Sequence, residues 1–376
     1  MDDKIKILIA SVLKPADDVR SCYKIGQSLA QTNKYEVNII GFNSKKTANH
    51  ENIFLFPIFN FKRNSIKRFL APFSVLKLYI QLKPKLIIVN TPELLWVIFL
   101  IRILFGTKII YDIQENYRFN LKQNQIYNGL AKYAASLFVH INESLSKYFV
   151  DGFFLAEDIY EKQLGFIRKK LYINLLNKSV IPIRQIKDPI NFEKKQFLKF
   201  IYTGTIGKEY GTIEAIQFYK KLRKKTSDIT LTIIGYSTDN QYLNLVKKAS
   251  KNIKGIRLIT ADKPIPQSDI IAEIETCNIA LLPYHLNPNI SGRFPTKIYD
   301  YLALAIPMII PRNPSWEDYI APYHAALSID FNKPDLDKFM QHLYSSTFYL
   351  KHVGEEIQWQ NQDKDLLNFI SKILTK

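Results

Sequence analysis

Two stretches of the chain combine glycine, cations and a helix start in the order that holds a phosphate. The first is Ser291-Gly-Arg-Phe-Pro-Thr-Lys-Ile-Tyr-Asp300. It follows the apolar run 279–284 and leads to another at 308–310, so it reads as a loop and a helix between two strands. Gly292 leaves space at the backbone, Arg293 and Lys297 supply charge, and Pro295 is set to begin a helix that Thr296 enters. The free N–H groups and dipole of such a helix start favour an anion. Asp300, one turn on, is placed to accept hydrogen bonds from a sugar ring beside that phosphate. The second stretch is Phe200-Ile-Tyr-Thr-Gly-Thr-Ile-Gly-Lys-Glu-Tyr-Gly211. Gly204, Gly207 and Gly211 occupy a strand-to-helix turn where backbone can approach a phosphate closely, and Lys208 can neutralise it. The spacing matches neither the dinucleotide G-x-G-x-x-G fingerprint nor a P-loop, which argues against a nicotinamide-dependent oxidoreductase. A nucleotide-diphosphate sugar is the ligand this layout implies. Its base needs a flat slot, and the strand end at Tyr236 with the stretch 260–264 is placed to wall one.

The first half of the chain offers two further loops. In 11–20, Asp17 is placed to cap the coming helix, and Arg20, near the helix start, can reach a diphosphate across a cleft. In Tyr111-Asp-Ile-Gln-Glu-Asn-Tyr117, Asp112, Gln114 and Glu115 can orient a hydroxyl; a glutamine cannot take a proton near neutral pH. The acid-x-acid pairs Asp335/Asp337 and Asp363/Asp365 lie in polar helical stretches, outside strand-end loops, and no zinc-type spacing of Cys and His occurs. No metal is expected.

These loops need strands and helices to hold them. Short β-branched runs at 4–10, 36–42, 53–59, 86–90, 108–113, 152–156 and 172–177 alternate with helical stretches at 17–32, 92–105 and 124–149. A second series of strands follows at 199–204, 231–236, 256–260, 279–284, 307–311 and 326–329. Alternation of this kind predicts α/β layers with parallel sheets. At 376 residues, two cores are expected. The predicted division is a Rossmann-like domain at 1–185, a second at 186–345, and C-terminal helices at 346–376 that cross back to the first. Two doubly wound domains in tandem would leave an inter-domain cleft facing the carboxyl ends of both sheets. A hydrophobic content of 47% with 23% charged residues excludes a disordered chain. Cys22 and Cys277 are far apart, which favours a reducing compartment. The acidic N-terminus lacks the basic start of a secretion signal. The run 94–101, stopped by Arg102, is short of a membrane span and reads as a buried helix. The formal net charge is +18. Between 59 and 85, Lys62, Arg63, Lys67, Arg68, Lys77, Lys83 and Lys85 alternate with rings and aliphatic residues, without one acid. That composition suits a helix at an anionic membrane surface. No nucleic-acid motif accompanies it, so nucleic acid is not an expected partner.

Pro295-x-Lys297, Asp300, Tyr301-x-Ala303 and Pro307, in that order, resemble the donor-site signature of GT-B glycosyltransferases, especially the large retaining family 4. The turn 204–211 is similar to the first donor-domain loop there, with Thr205 and Tyr210 where arginine and lysine are usual. The loop 112–115 resembles that family's aspartate-x-histidine-glutamate loop, with Gln114 in the histidine position. Asp300 replaces the usual glutamate, Gly292 stands at the position of the family's earlier one, and Glu317 matches a later glutamate. The resemblance implies the GT-B fold and a retaining transfer from a nucleotide-diphosphate sugar to a glycan or lipid-linked acceptor, without cofactor or metal. It implies that Lys208, Lys297, Gln114 and Glu115 serve the chemistry. Gly204, Thr205, Gly207, Tyr236, Gly292, Arg293, Thr296 and Asp300 would bind the donor, and Asp17, Arg20 and Asp112 would lie on the acceptor side. The leaving phosphate oxygen would accept the acceptor's proton, and the cations would stabilise the diphosphate. The setting implied is bacterial surface polysaccharide or capsule synthesis by a cytoplasmic enzyme, peripheral at the inner face of the plasma membrane. The alternatives are a nucleotide-sugar 2-epimerase of the same fold and a non-catalytic polysaccharide-assembly scaffold.

Overall fold

The computed structural model describes residues 4–43, 50–61, 66–118, 130–261, 264–287 and 290–375. The chain forms two compact units, Met1–Val180 with Trp359–Lys376, and Ile181–Gln358.

In the first unit seven parallel strands run in the order β3-β2-β1-β4-β5-β6-β7. They are β1 Ile5–Pro15, β2 Tyr35–Phe42, β3 Ile53–Phe59, β4 Leu86–Val89, β5 Lys108–Ile113, β6 Gly152–Leu155 and β7 Tyr172–Asn174. The middle strands are apolar on both faces, as in Leu86-Ile-Ile-Val89, because helices cover both sides of a parallel sheet. After β1 a π-helical segment, Val19–Gly26, runs into α1, Gln27–Ala30. Asp18 caps that segment by accepting from the Arg20 and Ser21 N–H groups. The expected cap, Asp17, stands one residue too early. Next come α2 Ala71–Leu82, α3 Leu95–Phe105, α4 Leu130–Ser146 and α5 Ile159–Gln163. The described residues of 59–85 therefore form the end of a strand, a 3-10 turn at Ile66–Phe69 and a separate helix, with Pro72 in the first turn of α2. Among the described residues no single helix runs through 59–85, and Lys62 and Arg63 lie outside the described residues. The apolar run at 94–101 is half buried: Leu95, Val97, Ile98 and Ile101 face the sheet, while Phe99 and Leu100 are exposed. Among the described residues no helix is long and apolar enough to cross a membrane.

The second unit has six parallel strands in the order β11-β10-β9-β12-β13-β14 and a two-stranded pair of β8 with β15. These are β8 Ile190–Asn191, β9 Leu198–Thr205, β10 Ile229–Tyr236, β11 Ile256–Ala261, β12 Ile279–Leu281, β13 Met308–Pro311, β14 Ala326–Ile329 and β15 Thr347–Phe348. The helices are α6 Thr212–Arg223, α7 Asn240–Ser250, α8 Gln267–Glu275, α9 Thr296–Ala303, α10 Pro314–Ile320 and α11 Leu336–Ser345. After α11 the chain stays in this unit as far as Gln358. β15 pairs with β8, and the Tyr349 hydroxyl donates to the Ile306 carbonyl at 2.9 Å. Only then does α12, Asp363–Thr375, join the first unit, where Leu366, Phe369, Ile370 and Ile373 are buried beside Trp359.

Candidate active site

In both sheets the strand order reverses once, between β1 and β4 in the first and between β9 and β12 in the second. Ligands of open α/β sheets bind beyond the carboxyl ends of strands at such reversals. Gly204, the stretch 291–300 and the residues after β1 lie at those two places, whereas Asp112, Gln114 and Glu115 follow β5 and Tyr236 ends β10.

In the second unit, β9 ends in Thr203-Gly204-Thr205 and β12 leads into the loop that enters α9. The Thr203 hydroxyl is hydrogen-bonded to the Tyr301 hydroxyl at 2.8 Å, which fixes α9 against the end of β9. One turn earlier on α9, Lys297 lies across Gly204; a Cβ added at 204 would overlap its Nζ and Cε. Gly204 also has φ +103°, a conformation open to glycine. Desolvation lowers the Lys297 pKa from 10.5, and the Asp300 carboxylate opposes that shift. Gly211, at φ +67°, lets the turn close on the Pro283 carbonyl, where any side chain would collide. The α9 loop is tied from its other side: the Trp316 indole donates to the Arg293 carbonyl at 2.7 Å, and the Asn313 amide to the Ser291 carbonyl at 3.1 Å. The structure thus brings Gly204, Lys297 and Asp300 together, with Gly292, Arg293 and Thr296 on the same loop. Lys208 is exposed on the neighbouring turn beside Gly207. Thr205 and Tyr236 sit opposite each other at the ends of β9 and β10, both half-buried. Glu317 is half-buried in the first turn of α10. His285 pairs with Glu214, Nε2 to Oε1 at 3.0 Å.

In the first unit Asp112 and Gln114 follow from the end of β5, and the Gln114 amide donates to Asp112 Oδ2 at 2.8 Å. Arg20 does not point to a ligand. It is 4% exposed and grips Asp112 bidentately, Nε to Oδ2 at 2.9 Å and Nη2 to Oδ1 at 2.7 Å. Its Nη1 donates to the Leu175 carbonyl and to Asn177 Oδ1. All three of its nitrogens donate inside its own unit, so the expected reach to a diphosphate is replaced by a buried ion pair that orients Asp112 and, through it, Gln114. Asp17 is half-buried before the π-helical segment, and Glu115 is half-buried after Gln114. Of the acid pairs, Asp335 caps α11, Asp337 pairs with Lys225, and Asp363 accepts from the Ser28 hydroxyl. Among the described residues no cluster of His, Cys, Asp and Glu could hold a metal ion.

Three polar groups of the first unit escape the sequence reading. Asn90 and Thr91 follow β4 at the strand reversal and are 2% and 1% exposed. Neither atom of the Asn90 amide nor the Thr91 hydroxyl has a hydrogen-bond partner. Polar atoms so deeply buried normally have partners, and these stand at the strand reversal, where open α/β sheets take ligands. The local signal, an Asn-Thr-Pro break after an apolar strand, is legible only once the strand order is known. The third is Glu143 on α4, 3% exposed, which accepts from the Tyr111 hydroxyl at 3.0 Å. Burial pushes its carboxyl up from 4.5 to about 7.

Residues 183–344 match the family model of glycosyl transferases group 1. No curated protein matches the chain in sequence. Similar solved structures include sucrose-phosphate synthase from Thermosynechococcus elongatus, 11% identical with a TM-score of 0.63 over 99% of this chain and 97% of that one. The catalytic domain of starch synthase IV from Arabidopsis thaliana, bound to ADP and acarbose, is 12% identical with a TM-score of 0.61 over 99% and 100%. A protein assigned as UDP-N-acetylglucosamine 2-epimerase from Listeria monocytogenes is 10% identical with a TM-score of 0.59 over 98% of each chain. At such identities the likeness speaks for the fold, which transferases and an epimerase share. Two parallel sheets of these orders give the chain the GT-B fold, and its second unit, with a lysine laid over the first glycine turn, is similar to the glycosyl transferases group 1 family over residues 183–344.

Proposed function

We propose that the protein is a retaining glycosyltransferase that moves a sugar from a nucleotide-diphosphate donor to a glycan or lipid-linked acceptor. The observation that carries this reading is Lys297 on Gly204 at the strand reversal of the second unit, one turn from Asp300. A diphosphate bound there meets the N–H groups at the start of α9, the Lys297 ammonium and, from the flanking turns, Lys208 and Arg293. As the sugar–phosphate bond breaks, negative charge grows on the leaving oxygen, and these groups stabilise it most at that moment. Asp300 accepts from sugar hydroxyls. The acceptor belongs to the first unit, where Asn90, Thr91, Gln114 and Glu115 orient its hydroxyl; the leaving phosphate oxygen takes the proton. The reaction needs no metal in this scheme. Synthesis of a bacterial surface polysaccharide at the inner face of the plasma membrane suits the basic charge and the lipid-linked acceptor.

The test is incubation with a panel of UDP- and GDP-sugars. Donor hydrolysis or transfer is expected, reduced about 100-fold by Lys297→Ala at unchanged melting temperature, in line with loss of one oxyanion-stabilising group. Interconversion of epimers would make the protein an epimerase. Binding without turnover would make it a scaffold.

A further inference from the structure

Helices α2, α3 and α4 lie side by side on one face of the first sheet, with α3 in contact with both others. The inner residues of α2 and α3 fill the core, and Val139 on α4 is buried. Their outer residues are also apolar: Phe73 and Ile80 on α2, Ile103 and Leu104 on α3, Leu137 and Ile141 on α4 are each 47% or more exposed. Most of the exposed large hydrophobic residues of the described chain fall on these three helices and their flanks. Soluble proteins rarely leave such a contiguous area bare. Within the three helices the sole acid is Glu143, and it is buried.

One edge of this face carries a pocket of about 540 Å³, at the amino ends of β4 and β5. Ile80 and Phe105 continue the apolar surface into it, and Lys83, Lys85 and Lys108 line its wall. Lys108 shares Asp151 with Arg102, at 3.8 Å and 3.1 Å. Lys83 and Lys85 have no carboxylate partner among the described residues and are exposed. Lys83 closes α2 at φ +49°, a left-handed position that glycine adopts at less cost and that Gly106 fills at the end of α3. A lysine kept there brings charge to the pocket.

We infer that the outer face of α2, α3 and α4 docks into the interface of an anionic bilayer and that the lysine pocket at its edge takes the phosphate of one phospholipid headgroup. The chemistry is that of an amphipathic surface: aliphatic and aromatic side chains enter the acyl boundary, and rim cations meet anionic headgroups. A second copy of the chain is a poorer occupant, because the three helices carry no exposed acid to meet the lysine rim, whereas an anionic surface supplies that charge. The inference deepens the lipid-linked acceptor reading, and it extends the membrane surface from the segment 59–85 to two further helices.

The experiment is flotation of the full chain with phosphatidylglycerol-containing and with pure phosphatidylcholine vesicles, alongside sedimentation velocity without lipid. Flotation with the anionic vesicles alone is expected. Lys83→Gln/Lys85→Gln should lower the partition about tenfold or more, since each cation near an anionic surface contributes on the order of 1 kcal/mol. Ile103→Ser/Leu104→Ser, at exposed positions that leave the fold intact, should abolish it, whereas inorganic phosphate should not compete appreciably. Binding to neither vesicle type, or equal partition of both variants and the parent, would overturn the inference. So would a dimer in solution that Ile103→Ser/Leu104→Ser dissolves. Hydrolysis of the donor without vesicles, measured on the same samples, reports the enzyme reading separately: it should be unchanged in both variants.

Discussion

Lys297 and Glu143 illustrate how burial turns an ordinary side chain into a specialised one. At Lys297, desolvation weakens the hold on the proton while Asp300 restores part of it. The ammonium is thus held partly desolvated, and under the proposed function a bound diphosphate would supply further counter-charge. At Glu143 the same desolvation raises the pKa to about 7. In the unfolded chain this carboxyl titrates near 4.5, so the folded state binds the proton more tightly. Stability is favoured below about 4.5 and falls as pH rises through about 7. Glu143→Gln removes that dependence. Near pH 8.5 the variant should be more stable than the parent by on the order of 3 kcal/mol, a gap that closes near pH 4.5. Urea unfolding of both proteins at the two pH values measures it; identical pH dependences would show that Glu143 does not titrate as its burial dictates. Such effects were beyond the sequence because they depend on distant neighbours. Arg20 looked free for a ligand since its partner, Asp112, is 92 positions away. Asp18 and Asp17 are adjacent acids, and which of them caps is decided by one residue of register.

At the level of elements the positions of strands and of the loops after them were largely legible. β-branched runs such as Leu86-Ile-Ile-Val89 have few other uses than a doubly covered strand, and the glycines at 204, 207 and 211 marked a turn. What periodicity could not disclose was which face of an apolar helix is covered, so α3 read as buried although its last turn stands bare. The join of β9 to α9 permits a sharper test. Gly204→Ala meets only the end of the Lys297 side chain; in addition it forces a non-glycine residue into φ +103°. A cost of about 1–3 kcal/mol is expected for the backbone. The lysine must also swing away from the glycine turn, so affinity for UDP or GDP should fall by a larger factor than for Lys208→Ala. Isothermal titration of the two variants decides this, and equal losses would detach Lys297 from the phosphate. Gly235→Ala is the control, since its Cβ would strike the Gly204 carbonyl itself and disturb the β9–β10 ladder.

For the whole molecule the order of the sequence and the order of the units differ. Residues 359–376 are last in the chain but complete the first unit, where Trp359 donates to Ser28 Oγ at 2.8 Å and Gln362 clamps Leu176 through both atoms of its amide. Asn174 to Ser179 and this returning segment are thereby parts of one structure, and Arg20 lies over the Trp359 ring at 5.9 Å. Truncation after Gln358 would uncover part of one face of the first sheet, leaving there Cys22, Ile25 and Leu29, and remove Trp359, Leu366, Phe369, Ile370 and Ile373 together. Each buried residue of this size contributes about 2–5 kcal/mol, so their joint loss exceeds what a domain of ordinary stability can absorb. Hydrogen exchange should then show β1, β2 and β5 unprotected, while β9, β10 and β13 keep their protection, because the truncation leaves Ile181–Gln358 whole. Retained protection in β1 and β2 would mean that the sheet holds without its returning helix. Loss in both sheets together would mean that the two units fold as one cooperative body, and that a donor bound to the second stabilises the first as well.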